Sequence, residues 1–259
     1  MEILINGKKI KTRKGEYVLD VARREGFDIP SLCHHPALPP DGACRLCLVE
    51  VEGQNGSNKV TTACTLEVSE GLSVRLDTPE VTRNRNVVLE MLLSRVSDSP
   101  TLLALAEKYG LREVRLVPQG EVCILCGLCA RVCTELVGAK AITMEGRGTE
   151  TYFRPPFGEP PKDCVGCGSC AFVCPVSCIP FTKTENTIEI WGRTFERLHC
   201  TECGKPLDLT PEHRDLIRTR THLLTPEEMQ VCGGCERQTT KNTMQRIVDG
   251  QLSMEAIRR

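Results

Sequence analysis

The cysteine pattern constrains this chain more than any other feature. Seventeen cysteines occur in 259 residues, and sixteen of them sort along the chain into four groups of four. These are Cys33, Cys44, Cys47 and Cys64; Cys123, Cys126, Cys129 and Cys133; Cys164, Cys167, Cys170 and Cys174; and Cys200, Cys203, Cys232 and Cys235, with Cys178 left over. Four thiolates are what a [2Fe-2S] cluster, a [4Fe-4S] cluster or a tetrahedral zinc ion each require. Disulfides are the competing use of so many thiols. They suit exported chains, whereas Met1 to Gly7 lacks a basic stretch followed by an apolar core, so a cytoplasmic, reducing setting is expected.

Composition narrows the function further. Aromatic residues make up 4 % of the chain, which fits small modules organised by ligand bonds more than by large apolar cores. A formal net charge of -1 gives no global attraction to nucleic acid or anionic lipid. No apolar run approaches the ~18 residues of a membrane span. Neither a nucleic-acid partner nor a membrane span is therefore expected. The chain also lacks a dinucleotide or phosphate-binding glycine motif of its own, because Gly166 and Gly168 already lie inside a cysteine repeat.

The two middle groups are an internal repeat. Cys123 to Cys133 reads CILCGLCARVC, and Cys164 to Pro175 reads CVGCGSCAFVCP, 41 residues later. In this spacing three thiolates clasp one cubane, and the fourth ligates its neighbour. The expected ligands are Cys123, Cys126, Cys129 and Cys174 for one [4Fe-4S] cluster, and Cys164, Cys167, Cys170 and Cys133 for the other. Gly127, Gly166, Gly168 and Ser169 let backbone amides approach the sulfides. Cys178 is expected as a buried small residue near a cluster, the sharper alternatives being an alternative ligand or a redox-sensitive thiol.

The first group sits among legible local signals. Met1 to Ile5 and Lys8 to Thr12 flank Asn6-Gly7, the strongest hairpin turn. Tyr17 to Glu25 has helical spacing and stops at Gly26, and Leu46 to Val51 and Lys59 to Ala63 read as strands. A hairpin, a helix, an irregular ligand loop and a returning strand describe a β-grasp ferredoxin holding [2Fe-2S]; an isolated zinc site is the alternative. His34 and His35 follow Cys33 directly but are expected to pack the loop, since four cysteines already complete the ligand set.

The last group has C-x2-C knuckles at Cys200/Cys203 and Cys232/Cys235. A hairpin from Thr187 to Trp191 and Thr194 to Leu198 delivers the first pair, and Gly204 suits a knuckle whose amides bond the sulfurs. The expectation is a zinc ribbon with Cys200, Cys203, Cys232 and Cys235 as ligands; a third [4Fe-4S] cluster is the alternative. His199, His213 and His222 are read as solvated or supporting. Glu212 to His222 reads as an exposed charged face, and helices are expected from Thr225-Pro226 and from Lys241 to Asp249, stopping at Gly250.

The run Cys33-His34-His35-Pro36, the segments Gly42 to Val51 (GACRLCLVEV) and Thr61 to Leu66 (TTACTL), and the Cys123 to Cys133 motif carry a resemblance. They are similar to the N-terminal ferredoxin region of the large iron-sulfur subunit of complex I, and to the equivalent diaphorase subunits of soluble NAD(P)-linked hydrogenases, formate dehydrogenases and electron-bifurcating transhydrogenases. The resemblance covers roughly residues 1 to 185. It implies a [2Fe-2S] domain and a double-cubane module that exchange electrons with a partner subunit carrying flavin and the NAD(P) site. Members of that family usually hold a further [4Fe-4S] site with one His and three Cys ligands between those modules. Residues 80 to 120 here contain neither residue type. Either a partner's cluster fills the gap or the modules serve different branches of a complex. Val87, Val88, Met91 and Leu92 still make an apolar helical stripe there, and Ser99-Pro100 starts a second helix ending at Gly110.

The expected fold is α+β and multidomain: a β-grasp [2Fe-2S] ferredoxin domain at 1–79, a helical connector without cluster ligands at 80–117, a ferredoxin-like 2[4Fe-4S] domain at 118–185, and a zinc-ribbon-like, helical tail at 186–259. The expected function is single-electron relay between a flavin/NAD(P) partner subunit and another redox site, either a further catalytic subunit or a soluble ferredoxin. No residue of the chain is expected to transform substrate. The alternatives are the iron-sulfur subunit of a succinate/fumarate-type oxidoreductase, disfavoured by two complete four-cysteine repeats, and a redox-sensing interaction protein.

Overall fold

The computed structural model describes residues 1–53, 56–221 and 225–248, so His222, Asp249 and Gly250 lie outside the described residues. The chain divides into two compact units: Met1–Gly158 with Ser169–Ile179, and Glu159–Gly168 with Pro180–Arg259.

The first unit begins with the expected hairpin. β1 (Glu2–Ile5) pairs antiparallel with β2 (Lys8–Lys11) through Asn6 and Gly7, both with positive φ. Alternation places Ile3 and Ile5 on the buried face. Helix α1 (Val18–Arg24) lays Val18, Leu19, Val21 and Ala22 against that face. Strands β3 (Leu48–Val51) and β4 (Lys59–Thr62) follow. β5 (Ser73–Arg75), a strand with no distinct signal in the sequence, enters the middle of the sheet, giving the order β2-β1-β5-β3-β4 with β1 and β5 parallel. Cys47 and Cys64 belong to the same core as Ile3, Val49 and Val74, so the ligand loop is packed by the sheet it interrupts.

The connector is helical, as expected, but its buried face is different. Helix α2 (Pro79–Arg95) starts at Thr78, whose Oγ1 accepts from Val81 N–H and donates to Glu50 on β3 at 2.5 Å. That clamp turns Val81, Arg85, Leu89 and Leu93, spaced four apart, inward, while Val87 and Met91 of the expected stripe are exposed. The strand a helix meets decides which of two apolar faces is buried, and the periodicity of the helix alone does not reveal that strand. Helix α3 (Pro100–Lys108) starts on Ser99, as expected, and Gly110 follows with φ +67°. The chain then folds back along α2. Arg115 pairs with buried Glu90 at 2.7 Å, and Gln119 and Glu121 N–H donate to the Ser94 and Arg95 carbonyls at 2.7 and 3.0 Å.

Beyond Cys126 come the short helix α4 (Leu128–Arg131), a π-helical continuation over Val132–Val137, and a small hairpin of β6 (Thr143–Glu145) and β7 (Tyr152–Arg154). Helix α5 (Ser169–Phe172) packs against α4.

The second unit centres on a sheet of order β10-β9-β8, formed by β8 (Phe181–Lys183), β9 (Thr187–Ile190) and β10 (Arg193–Glu196). The expected hairpin turns at Trp191-Gly192, with Arg193 paired to Ile190, and β8 adds a third strand. Helix α6 (Pro211–Arg220) is capped by Thr210; Glu212, Asp215, Arg218 and Arg220 are exposed on its charged face, while His213 and Arg214 are half-buried. At Thr225 the expected helix is a single 3-10 turn. Thr225 and Glu228 make the reciprocal capping bonds, yet the turn covers only Glu228–Gln230 before Cys232 redirects the chain into α7 (Gly233–Val248). α7 begins eight residues before the expected Lys241.

Candidate metal centres

Cys33, Cys44, Cys47 and Cys64 are all buried. α1 leads into the loop bearing Cys33, Cys44 and Cys47 precede β3, and Cys64 follows β4. Backbone amides already face the sulfurs: Leu32 N–H donates to Cys44 Sγ and Cys44 N–H to Cys33 Sγ, each at 3.4 Å. The thiols share protons. Hydrogen bonds from Cys44 and Cys64 hold Cys33 far below the ordinary thiol range, and the bond from Cys64 brings Cys47 down to about 7. Cys44 and Cys64, the donors, are pushed far up. Four converging buried thiols that stabilise thiolates among themselves are a soft donor set suited to iron-sulfur ligation. His34 Nε2 lies 2.9 Å from Asp20, and His35 Nδ1 accepts from Ala37 N–H at 3.2 Å, so both histidines are engaged in loop packing.

The second centre draws on both halves of the repeat. Gly127 adopts φ +73°, and Leu125 is also left-handed, which turns the loop tightly between Cys123 and Cys129. Cys174 Sγ lies 3.5 Å from Cys178 Sγ, and the Cys178 thiol also bonds Cys123. Those bonds lower Cys123 to about 7 and Cys174 to about 6, while Cys178 moves far up. Burial pushes Cys126 and Cys129 up to about 12. The structure therefore brings Cys174 beside Cys123, and Cys178 with it. Cys178 is half-buried and in contact with two candidate ligands, where the sequence reading has a buried packing residue. A cysteine four residues after the last motif cysteine was the available signal.

The two thiol sets of this unit adjoin. Arg131, between Cys129 and Cys133, donates to the Pro39 carbonyl in the loop between Cys33 and Cys44.

For the other repeat, Cys133 Sγ accepts from Ala141 N–H at 3.2 Å and Cys170 is buried, both in the first unit. Cys164 and Cys167 are in the second unit. There Arg193 Nη1 donates to the Pro161, Lys162 and Cys164 carbonyls at 2.8, 2.7 and 2.8 Å, and Thr210 Oγ1 to the Val165 carbonyl at 2.6 Å. Gly166 and Gly168 are left-handed and pack under Phe195 and Phe181.

In the tail, the Sγ atoms of Cys200, Cys203, Cys232 and Cys235 all lie within 4.8 Å of one another. The Cys200 knuckle closes with Gly204 N–H on the Cys200 carbonyl at 2.9 Å, and Thr201 N–H binds the Gln230 carbonyl at 2.9 Å, joining it to the second knuckle. The Cys232 amide, 3.2 Å from Cys200 Sγ, holds that thiol down at about 6. Zinc-sulfur bonds of about 2.3 Å in a tetrahedron bring sulfurs close together, whereas a cubane interposes its irons and spreads its ligands wider.

Comparison with known proteins agrees with the ferredoxin modules. Residues 1–79 match a 2Fe-2S iron-sulfur cluster binding domain and residues 122–178 a 4Fe-4S dicluster domain. The alpha subunit of NADPH-Fe(3+) oxidoreductase from Geobacter sulfurreducens is 31 % identical over 79 % of this chain and 27 % of its own length. The 75 kDa subunit of NADH-ubiquinone oxidoreductase from Reclinomonas americana is 28 % identical over 58 % of this chain and 25 % of its own. The chain thus spans less than a third of either relative. A crystal structure of NAD+-reducing [NiFe]-hydrogenase in the H2-reduced state aligns with TM-score 0.54 and 28 % identity, over 60 % of this chain and 74 % of that one. Among the described residues no helix is long and apolar enough to cross a membrane.

Proposed function

For a chain that joins a 2Fe-2S domain to a 4Fe-4S dicluster domain and is homologous to subunits of NAD(P)-linked oxidoreductases, we propose single-electron relay inside such a complex. Cys33, Cys44, Cys47 and Cys64 hold the [2Fe-2S] cluster. Cys123, Cys126, Cys129 and Cys174 hold one [4Fe-4S] cluster, and by the spacing of the repeat Cys164, Cys167, Cys170 and Cys133 hold the other. The observation that carries this reading is the hydrogen bond from Arg131, between Cys129 and Cys133, to the Pro39 carbonyl, between Cys33 and Cys44, which holds the two ligand loops against each other. When bound, the clusters supply one-electron chemistry; the chain supplies spacing, burial and hydrogen bonds to sulfur. A partner subunit bearing flavin and NAD(P) converts hydride to single electrons, and a further catalytic subunit or a soluble ferredoxin completes the route, including bifurcation where two acceptors are present.

The tail is a zinc-ribbon-like element, with Cys200, Cys203, Cys232 and Cys235 closing around one structural zinc that stabilises the fold. Metal and sulfide analysis of the anaerobically purified chain tests the whole scheme, with about ten iron and about one zinc expected. Electron relay further requires that NAD(P)H reduce the clusters in the presence of the flavoprotein partner and leave the isolated chain oxidised. Reduction of the isolated chain at the same rate would refute the division of labour.

A further inference from the structure

Arg85 is 1 % exposed, and among the described residues no buried carboxylate pairs with it. Its Nη2 donates to the Leu48 carbonyl at 2.7 Å, one residue past Cys47. Nη1 is 3.6 Å from Asp77, a carboxylate whose side chain is 70 % exposed. Nε has no hydrogen-bond partner among the described residues, and the Tyr109 ring centroid is 5.4 Å from the guanidinium carbon. Burying a cation costs several kcal/mol unless an anion lies near. A [2Fe-2S] cluster on four thiolates is anionic in both oxidation states, and more so when reduced.

Ten residues along the same helix, Arg95 repeats the arrangement. Its Nε donates to the Cys123 carbonyl at 2.7 Å, its side chain is 15 % exposed, and its nearest carboxylate, Glu121, is 3.9 Å away. The ligand-free connector thus carries two guanidinium groups, each seated on the backbone at a candidate cluster ligand.

We infer that Arg85 and Arg95 are positioning residues that set reduction potentials. Each fixes a positive charge behind one cluster, Arg85 at the [2Fe-2S] site and Arg95 at the first cubane. A nearby cation stabilises the more negative reduced state, so each cluster accepts its electron at a higher potential, and burial keeps the effect from being screened by salt. The inference rests on the cluster assignment proposed above.

The test is an EPR-monitored potentiometric titration of the full, cluster-loaded chain. Arg85→Gln keeps an N–H donor for Leu48 and removes the charge; it is expected to change the oxidised-to-reduced ratio of [2Fe-2S] about tenfold at a fixed potential, a fall of about 59 mV for one electron, and to leave the cubanes unmoved. Arg85→Lys keeps the charge and is expected to stay within twofold of the parent. Arg95→Gln should lower the first cubane in the same way and spare [2Fe-2S]. An effect of Arg85→Gln below twofold, an equal shift in all clusters, or a Lys variant that moves as far as the Gln variant overturns the inference. Loss of the [2Fe-2S] signal in the Gln variant with retention in the Lys variant supports a role for charge; loss in both assigns Arg85 to packing and overturns it. A parent chain without a [2Fe-2S] signal would sink the cluster reading itself, whereas a normal signal with unmoved potentials sinks only this inference.

Discussion

Arg131, in the first cubane motif, donates a hydrogen bond to the carbonyl of Pro39, 92 residues earlier in the [2Fe-2S] ligand loop. It ties together two modules that the sequence separates by a connector without ligands. Arg131→Met removes the donor at a cost of about 1 kcal/mol and loosens the contact between the loops. In the fully reduced chain the [2Fe-2S] EPR signal should then saturate at lower microwave power, because its neighbouring paramagnet is less firmly held nearby. Unchanged saturation would mean that other contacts fix the spacing.

The glycines of the second repeat differ in tolerance. A Cβ on Gly166 would sit 2.7 Å from Cγ of Phe195, which is 2 % exposed, while a Cβ on Gly168 would meet Phe181, 37 % exposed, at 2.8 Å. Phe181 can swing into solvent and Phe195 cannot. Both alanine variants strain a left-handed backbone by about 1 kcal/mol. Gly166→Ala should therefore lose stability by about 1–3 kcal/mol more than Gly168→Ala in chemical denaturation, because it also overpacks a closed site. Equal losses would place the cost in the backbone alone.

Cys203→Ser and Cys232→Ser distinguish the two readings of the tail. Each should abolish zinc binding, leave the iron content unchanged, and make the second unit susceptible to proteolysis at protease concentrations that spare the parent. Loss of about four iron with no change in zinc would instead make the tail a third cubane site.

His213 gives a pH dependence of known sign. Burial lowers its pKa from the usual imidazole value, and its Nδ1 has no hydrogen-bond partner among the described residues. The folded state therefore resists protonation. The contribution is fully present above the unfolded imidazole pKa of about 6.5 and declines as pH falls toward the lower folded value, by at most about 1.4 kcal/mol per pH unit. Thermal unfolding between about pH 7.5 and 5.5 should show this decline in the parent and a flatter profile in His213→Gln. Parallel profiles would exclude His213 as the source.

Much of this was legible because ligand spacing and turn chemistry are local. Asn6-Gly7, Ser99-Pro100 and the two C-x2-C-x2-C-x3-C runs specify their own conformations within a few residues. What was not legible depends on distant partners. β5 gains its identity only by pairing with β1 and β3. The buried face of α2 is chosen by Glu50 and β3, so Val87 and Met91 are exposed while Arg85, the least plausible core residue by composition, is fully enclosed. Cys178 was recognised as surplus, but its contact with both Cys123 and Cys174 depends on two motif halves meeting in space.

The arginines of α2 also restrict how this segment can change. Inserting one residue between positions 85 and 95 would rotate one guanidinium by about 100° around the helix axis and shift it by about 1.5 Å, withdrawing it from its carbonyl. The outward side of the helix can accept many substitutions. Its length is more constrained, because on the potential-setting role inferred above an insertion or deletion in this stretch would shift one cluster's potential relative to the other while leaving the Arg131–Pro39 contact between the ligand loops in place.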